Sequence, residues 1–346
     1  MQVKNIDSLN YFTEKFGIID PKQEYEGYVT KPTFLAEFNN ATLHPLPFLM
    51  SEHGQFITEN IWPLMWKQKN KPQNHGIFNQ WADNIEINFD PINHNFTEEN
   101  RYVWLAIDKS SCNNPWHIWI DVISKFRLME KRWSSDFTKY CYVLANESVY
   151  FKKIVQELFP EIKILVMPKN ETWRFKHLLV PSASNTKDGV ITPHLAPWLR
   201  HFKGLTGNKK DPHRKIVVLR PGAKTRRLKN SEELLLALKG WQTVILEKMT
   251  IREQINTFDA AKHIVAAHGA GLVNLLWCRP GTKVIEIQDR KMIHKKVYPL
   301  LSYHLGLKHE LYLADTVPIQ LNDGKKPQGI KTVSYTHLTL PTSDLV

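Results

Sequence analysis

The stretch HIVAAHGAGL, residues 263–272, places a run of strand-forming residues directly before a histidine and two glycines. Residues 263–267 predict a buried strand, and the apolar residues from Leu272 to Trp277 predict a short helix. Glycines at such a turn let the backbone approach a ligand closely, and a helix start presents unpaired N–H groups to an anion. The stretch therefore predicts a ligand site at the turn. The alternative is a tight turn in which His268 is structural.

The same alternation of strand and helix continues on both sides of this stretch. Short apolar runs predict further strands at 215–220, 243–246, 283–287 and 310–313. Capping boxes of Asn230 with Glu233 and of Thr250 with Glu253 predict two helix starts, and a third helix is expected at about 294–305. This order predicts a parallel sheet with right-handed crossovers, whose ligands bind beyond the carboxyl ends of the strands.

The first half of the chain predicts a second α/β layer. A long amphipathic helix is expected from Trp116 to Trp133, and further strands and helices are expected at 140–144, 148–158, 163–166, 177–180 and 193–202. The segment 204–213 carries two glycines, charges and a proline, which is typical of a linker. We therefore predict an N-terminal domain at 1–205 and a C-terminal domain at 206–333.

Residues 334–346, SYTHLTLPTSDLV, differ in character from the domain that precedes them. They resemble a read-through tail seen at the ends of unrelated proteins. We expect a non-native or disordered tail and exclude it from the prediction of fold and site.

The chain carries a formal net charge of +12, from 46 Lys and Arg against 34 Asp and Glu. This surplus favours an anionic partner, such as a nucleic acid, a membrane surface or a phosphorylated small molecule; a solvated basic face is the alternative. The three cysteines share no metal-ligand spacing and fit a reducing compartment. We find no signal-peptide core and no run of about 18 apolar residues. We expect a cytoplasmic protein, with membrane contact limited to peripheral association.

A basic loop follows the first strand of the second half, and it includes Arg220, Arg226 and Arg227. Guanidinium groups bind phosphates through paired hydrogen bonds and neutralise a leaving diphosphate. A basic surface loop is the alternative, but its place at the same sheet edge as His268 favours an anion site. Glu286 interrupts an apolar strand, where its carboxylate either accepts hydrogen bonds from ribose hydroxyls or faces solvent.

His117 and Asp121 lie one helical turn apart at the start of the long helix. An imidazole near a helix start, with a carboxylate one turn on, is a workable general base. The alternative is a capped helix with a buried polar pair. The sequence has no zinc-ligand spacing, nucleophile elbow, Walker loop or GxGxxG motif, so we predict no metal site.

Several segments, in matching order and spacing, resemble glycosyltransferase family 61. They are RRLKNSEE at 226–233, Glu253-Gln254, AHGAGLVNL at 267–275, Pro280-Gly281 and VIEI at 284–287. The segment 114–126 is similar to the N-x-x-H helix of that family, and 34–60 is similar to its N-terminal part. The resemblance covers about residues 30–315, and HGAGL is its most specific part.

The resemblance implies a GT-B fold, in which two Rossmann-like domains face each other across a cleft. It also implies an inverting transferase that moves a sugar from a nucleotide-sugar donor, expected to be a UDP-sugar, to a hydroxyl of a glycan or glycoconjugate. No bound metal or other cofactor is expected. Family members include plant xylan-decorating, animal O-GlcNAc and bacterial capsular enzymes. We expect no signal anchor, in contrast to the eukaryotic members, and a role in capsular polysaccharide biosynthesis.

On this resemblance, the C-terminal domain binds the donor and the N-terminal domain binds the acceptor. The expected donor-binding residues are Arg220, Arg226, Arg227, His268, Gly269, Ala270, Gly271, Leu272 and Glu286. Inversion needs a base on the acceptor side, which favours His117 oriented by Asp121. His268 is an alternative base, and Asp121 itself is another.

A second class of function stays open at this point, namely a non-catalytic basic protein that binds nucleic acid or sugar. The sequence contains no recognised nucleic-acid module and no basic helix with interleaved aromatic residues. We therefore expect no nucleic-acid partner.

Overall fold

The computed structural model describes residues 2–3, 17–25, 28–30, 32–43, 49–50, 56–57, 85–86, 92–97, 101–105, 112–168, 170–182, 194–201, 211–221, 227–228, 230–292, 296–318 and 331–334. The chain divides into two compact units, Met1–Thr192 and Pro193–Val346. Each unit is mixed α/β and is built on a sheet rich in parallel strands, which confirms the predicted α/β class. The predicted domain boundary at 205/206 falls within 202–210, outside the described residues.

The strands of the first unit are β1 (Gln2–Val3), β2 (Glu24–Tyr25), β3 (Tyr28–Val29), β4 (Leu35–Leu43), β5 (Leu49–Met50), β6 (Phe56–Ile57), β7 (Ile85–Glu86), β8 (Ile92–Phe96), β9 (Tyr102–Leu105), β10 (Cys141–Leu144), β11 (Lys163–Val166) and β12 (Thr172–Pro181). The main sheet has the order β11-β10-β9-β12-β4-β5-β6, and β8 also pairs with β12. Strands β8, β9, β10 and β11 pair in parallel with their neighbours, whereas β4 runs antiparallel to β12. The strand predicted at 177–180 is the end of the longer β12.

Helix α1 spans 115–133 and changes geometry along its length. It begins as an α-helix at Pro115–His117, continues as a π-helix over Ile118–Ile123, and returns to an α-helix at Ser124–Trp133. The Asn114 side chain caps its start by accepting a hydrogen bond from the Trp116 N–H at 3.0 Å. The predicted helix from Trp116 to Trp133 is confirmed, but its π-helical turn was not predicted. A 3-10 helix at Ser134–Lys139 follows, and helix α2 covers Val149–Leu158.

Buried contacts anchor α1 on two sides. The Phe126 ring lies 4.7 Å from the Tyr142 ring of β10 and 5.1 Å from the Phe159 ring. Arg127 donates two hydrogen bonds to Asp20, at 2.6 and 2.8 Å, and both side chains are 5% exposed. Thr33 donates a further hydrogen bond to the same carboxylate, at 2.6 Å. The helix therefore has a fixed position on the first unit.

The elements of the second unit are α3 (Leu195–His201), β13 (Arg214–Val218), β14 (Arg227–Leu228), α4 (Ser231–Ala237), β15 (Gln242–Val244), α5 (Ile251–Asp259), β16 (Ala261–Ala267), β17 (Lys283–Asp289), α6 (Val297–Leu305), β18 (Lys308–Pro318) and β19 (Lys331–Ser334). Short 3-10 helices cover Leu246–Lys248, Ala270–Trp277 and Arg290–Met292. The sheet order is β14-β19-β18-β17-β16-β13-β15. Five neighbouring strands of this sheet, β15, β13, β16, β17 and β18, pair in parallel, which confirms the predicted parallel sheet.

The two predicted capping boxes have different outcomes in the structure. The Thr250 and Glu253 capping box forms at the start of α5. At the start of α4, Asn230 donates to the Glu233 carboxylate at 2.9 Å and its side chain caps no backbone N–H. The predicted capping box of Asn230 with Glu233 is therefore wrong, because the Asn230 side-chain amide bonds the Glu233 carboxylate. The strand predicted at 243–246 ends at Val244, and a 3-10 turn begins at Leu246.

Strand alternation gives the second sheet two different faces. One face is apolar: Val265, Ala267, Ile285 and Ile287 pack with Leu234 of α4. The residues between them, which include Glu286, point to the opposite face. The predicted tail overlaps β19 at Ser334, which pairs with Asp315, and 335–346 lie outside the described residues.

Candidate functional site

His268 lies directly after β16, where the chain leaves the parallel sheet. Its backbone N–H donates to the Ile287 carbonyl at 2.8 Å and so continues the pairing with β17. Its Nδ1 forms a hydrogen bond with the Glu286 Oε1. Its hydrogen bond within the described residues uses only Nδ1, and the side chain is 8% exposed. The ring therefore has one anchored nitrogen and one nitrogen available to a ligand.

Glu286 is the buried centre of this group, with no exposed side-chain surface. Its second oxygen, Oε2, lies 3.0 Å from the Nε2 of His309. Burial raises the pKa of Glu286, but the hydrogen bonds and charges of His268 and His309 outweigh it, so the pKa lies below its ordinary value. Glu286 is therefore held as a carboxylate between two imidazoles.

Helix α6 supports both histidines from one face. Ser302 Oγ lies 2.7 Å from the Nδ1 of His309. One turn earlier, Tyr298 packs its ring against His268, with the ring centroids 5.2 Å apart at an angle of 66°. We refer to Ser302, His309, Glu286 and His268 as the buried relay.

Arg220 follows β13 and approaches the glycine turn closely. Its Nη1 is buried and has no hydrogen-bond partner among the described residues. A Cβ at Gly269 would overlap this nitrogen and would lie 3.2 Å from Cζ. Gly269 therefore serves by leaving room for the guanidinium, since its φ of 169° is extended backbone open to any residue. Because β13 and β16 are adjacent parallel strands, Arg220 and His268 meet at one edge of the sheet.

The rest of the glycine turn begins the 3-10 helix at Ala270. A Cβ at Gly271 would lie 2.6 Å from the Leu246 side chain, so the glycine permits close packing there. Leu272 is buried. Asn274 donates to the Gly271 carbonyl at 3.0 Å and to the Gln254 side chain at 3.2 Å, which fixes the turn.

Two predicted phosphate ligands are not placed by the structure. Arg226 lies outside the described residues, and Arg227 is described only as backbone of β14. Their contact with the donor stays a prediction.

The other candidate pair lies in the first unit, at the α-to-π transition of α1. The Nδ1 of His117 is 2.6 Å from the Asp121 Oδ2, and the two side chains are 37% and 25% exposed. The pair is thus accessible to solvent, unlike the buried relay.

Lys125 follows Asp121 on the same row of the helix and is buried. Burial lowers the pKa of its ammonium from 10.5 to about 8, and the negative charge of Asp121 opposes the shift only in part. Lys125 therefore adds a buried cation next to the pair of His117 and Asp121.

Comparison with known proteins assigns this arrangement to a family. Residues 115–285 match the family described as Glycosyltransferase 61, from the start of α1 into β17. The chain contains a glycosyltransferase family 61 domain. This match confirms the family suggested by the sequence and the predicted enzyme class, a glycosyltransferase.

A plant enzyme shares part of this domain. A beta-1,2-xylosyltransferase of Oryza sativa subsp. japonica is 30% identical over 93 residues, which make up 24% of this chain and 17% of that protein. The chain thus covers well under two thirds of this curated relative.

The structure places the predicted site residues in two groups. His268, Gly269, Arg220 and Glu286 come together in the second unit, whereas His117 and Asp121 form a pair in the first. Both oxygens of Glu286 already bond histidines, so its predicted contact with ribose stays a prediction that the structure does not display. Across the described residues, no group of three or more His, Cys, Asp or Glu side chains is arranged to hold a metal ion.

Three supporting residues were not predicted from the sequence. Lys125 continues the four-residue spacing of His117 and Asp121, and this spacing could have revealed it. Ser302 is a polar residue in an apolar helix, which is a weaker signal. His309 gave no local signal, because strand pairing between β17 and β18 brings it to Glu286.

In the described part of the chain, no helix is long and apolar enough to cross a membrane.

Proposed function

We propose that this chain is an inverting glycosyltransferase that moves a sugar from a nucleotide-sugar, most simply a UDP-sugar, to a hydroxyl of a glycan or glycoconjugate. The family 61 domain supports the class of reaction. The observation that carries the proposal is the buried Nη1 of Arg220, which lies beside Gly269 and has no hydrogen-bond partner within the described part of the chain. We further propose that the two units are the two halves of a GT-B enzyme.

Arg220 suits the diphosphate of such a donor. A buried guanidinium nitrogen without a partner carries a desolvation cost that a phosphate oxygen would relieve. A charge-assisted hydrogen bond to phosphate also stabilises the negative charge that builds on the leaving group. His268 and the backbone after it are expected to contact the same group at the carboxyl edge of the sheet.

The base is proposed to be His117. Inversion requires the acceptor hydroxyl to lose its proton as it attacks the anomeric carbon. Asp121 accepts a hydrogen bond from Nδ1 at 2.6 Å, so Nε2 carries the basic lone pair and the imidazolium that forms is stabilised. His268 pairs with Glu286 in the same way and is the alternative base.

The donor sugar is proposed from the plant relative, whose name specifies xylose transfer. A pentose donor such as UDP-xylose is therefore the first to test. We also propose that the reaction needs no metal, that it belongs to the synthesis of a polysaccharide such as a capsule, and that the protein is cytoplasmic.

The experiment is a thermal-shift screen with UDP-, GDP- and CMP-sugars, UDP-xylose among them, followed by linkage analysis of any transfer product. We expect one nucleotide class to raise the melting temperature, and transfer to persist in EDTA. Binding that falls steeply with salt and extends to nucleic acid would instead support the basic binding protein. If no donor binds or is consumed, the proposal is wrong.

Two histidine variants then separate the roles. His117→Ala should lower turnover by about 10²–10⁴-fold with donor affinity nearly unchanged. His268→Ala should weaken donor binding as well. His177→Ala, at an exposed position of β12, is the matched control and should change neither quantity. Near-parental turnover of folded His117→Ala would move the base to Asp121 or to His268.

A further inference from the structure

We propose that Ser302 and His309 are positioning residues, which hold Glu286 by its second oxygen and so keep His268 protonated on Nδ1, with Nε2 directed to the ligand. This inference rests on the proposed function, because it concerns the same donor site. Ser302 and His309 lie outside the segment that matches the family, since that segment ends at residue 285.

The first step is the placement of protons in the buried relay. An ionised carboxylate only accepts hydrogen bonds, so each nitrogen that faces Glu286 must carry a proton. These are the Nδ1 of His268 and the Nε2 of His309. At a pH where both rings are neutral, His309 has a lone pair on Nδ1, and the Ser302 hydroxyl donates to it across 2.7 Å. The two histidines therefore adopt opposite tautomers.

The second step is the need for His309. Without it, the Oε2 of Glu286 would be a buried charged atom with no hydrogen bond, which is costly. Glu286 would relieve that cost by taking up a proton. A protonated carboxyl group can donate to the Nδ1 of His268, and the proton of that ring would then move to Nε2. His309 thus acts on His268 through the charge of Glu286.

The third step is the rigidity of the support. Ser302 has no exposed surface, and the side chains of His309 and His268 are 6% and 8% exposed. Ser302 and Tyr298 lie one turn apart on α6, so one helix contacts both ends of the relay. A single rigid element therefore fixes both rings relative to Glu286.

The test is long-range ¹H–¹⁵N NMR of the histidine rings in the full chain, which reports the protonated nitrogen of each ring. The parent should show His268 protonated on Nδ1 and His309 on Nε2. In His309→Leu, the proton of His268 should move to Nε2, and kcat/KM should fall by about 10- to 100-fold, as for other partners that orient a functional histidine. His309→Gln keeps an amide donor for Glu286 and should restore both properties. His201→Leu, at an exposed position of α3, is the control and should change neither.

Two results would overturn the inference. One is an NMR spectrum of the parent protein in which His268 carries its proton only on Nε2. This measurement does not depend on any variant being folded. The other is a folded His309→Leu in which the tautomer of His268 is unchanged. The NMR measurement needs no sugar donor, so a protein that binds no nucleotide-sugar would reject the proposed function and leave this test intact. Donor binding with unchanged tautomers would reject only the inference.

Discussion

Replacing Lys125 with Met should make the protein more stable at neutral pH and a slower enzyme. Lys125 is 3% exposed, and Met keeps the length of its stem without the charge. Burial lowers the pKa of the ammonium from 10.5 to about 8 despite the nearby Asp121. The folded protein therefore bears the cost of keeping this charge out of water.

The size of that cost follows from the shift. A drop of about 2.5 pKa units at about 1.4 kcal/mol per unit corresponds to ~3 kcal/mol at pH 7. Because the folded pKa is the lower one, the unfolded chain binds more protons between about pH 8 and 10.5, and parental stability rises with pH there. The advantage of Lys125→Met should accordingly shrink to ~1.5 kcal/mol at pH 9.5. Turnover should fall about tenfold, because the pair of His117 and Asp121 loses the buried cation next to it.

Urea unfolding of the parent and the variant at pH 7 and pH 9.5 measures the difference between their free energies of unfolding at each pH. Lys131→Met, at an exposed position of the same helix, removes the same charge and should change stability by less than ~0.5 kcal/mol at either pH. A Lys125→Met protein that is less stable than the parent at pH 7, or whose gain is equal at both pH values, would refute the reasoning.

Further variants test other contacts. Gly269→Ala should push the Arg220 guanidinium aside and weaken nucleotide binding by roughly 1.5–3 kcal/mol with little change in melting temperature; calorimetry showing parental affinity would contradict this. Arg127→Met removes the cation from the buried Asp20 carboxylate and should cost about 3–5 kcal/mol in urea unfolding, and a loss below ~1 kcal/mol would show that solvent reaches the carboxylate. Glu286 has a pKa below its ordinary 4.5, so its contribution to stability is present above that pH and is lost as the pH falls further. Glu286→Gln should therefore be less stable than the parent at pH 7, with a difference that narrows below pH 4.5; a constant difference would rule out an ionised Glu286.

The fold was predictable where the pattern is local. Strands β16 and β17 are short, apolar and bounded by turn residues, because both faces of a parallel sheet are covered. Strand β12 was predicted only in its last part, since its pairing with β4 joins residues more than a hundred positions apart. The π-helical turn of α1 was missed because its residues fit an α-helical pattern equally well.

The residues of the site were likewise predictable only where the signal is local. The His117 and Asp121 pair was readable from a four-residue spacing on one helix, and the HGAGL turn from its place after a strand. The register of β17 and β18, which pairs Val284 with His309, brings His309 to Glu286, and no local pattern encodes that register. The burial of Arg220 against Gly269 likewise depends on the neighbouring strand.

The π-helical turn makes α1 tolerant of a one-residue deletion at one place along its length. The Ser124 N–H bonds the Trp119 carbonyl, five residues earlier, so this turn holds one residue more than an α-helical turn. Removing any single residue from 118–123 would let the segment close into ordinary α-helix. Because the residue removed is the extra one of that turn, His117 would keep nearly its present direction relative to the half of the helix fixed by Phe126 and Arg127. The same deletion in an ordinary α-helical part of α1 would instead turn His117 by about 100° relative to that half.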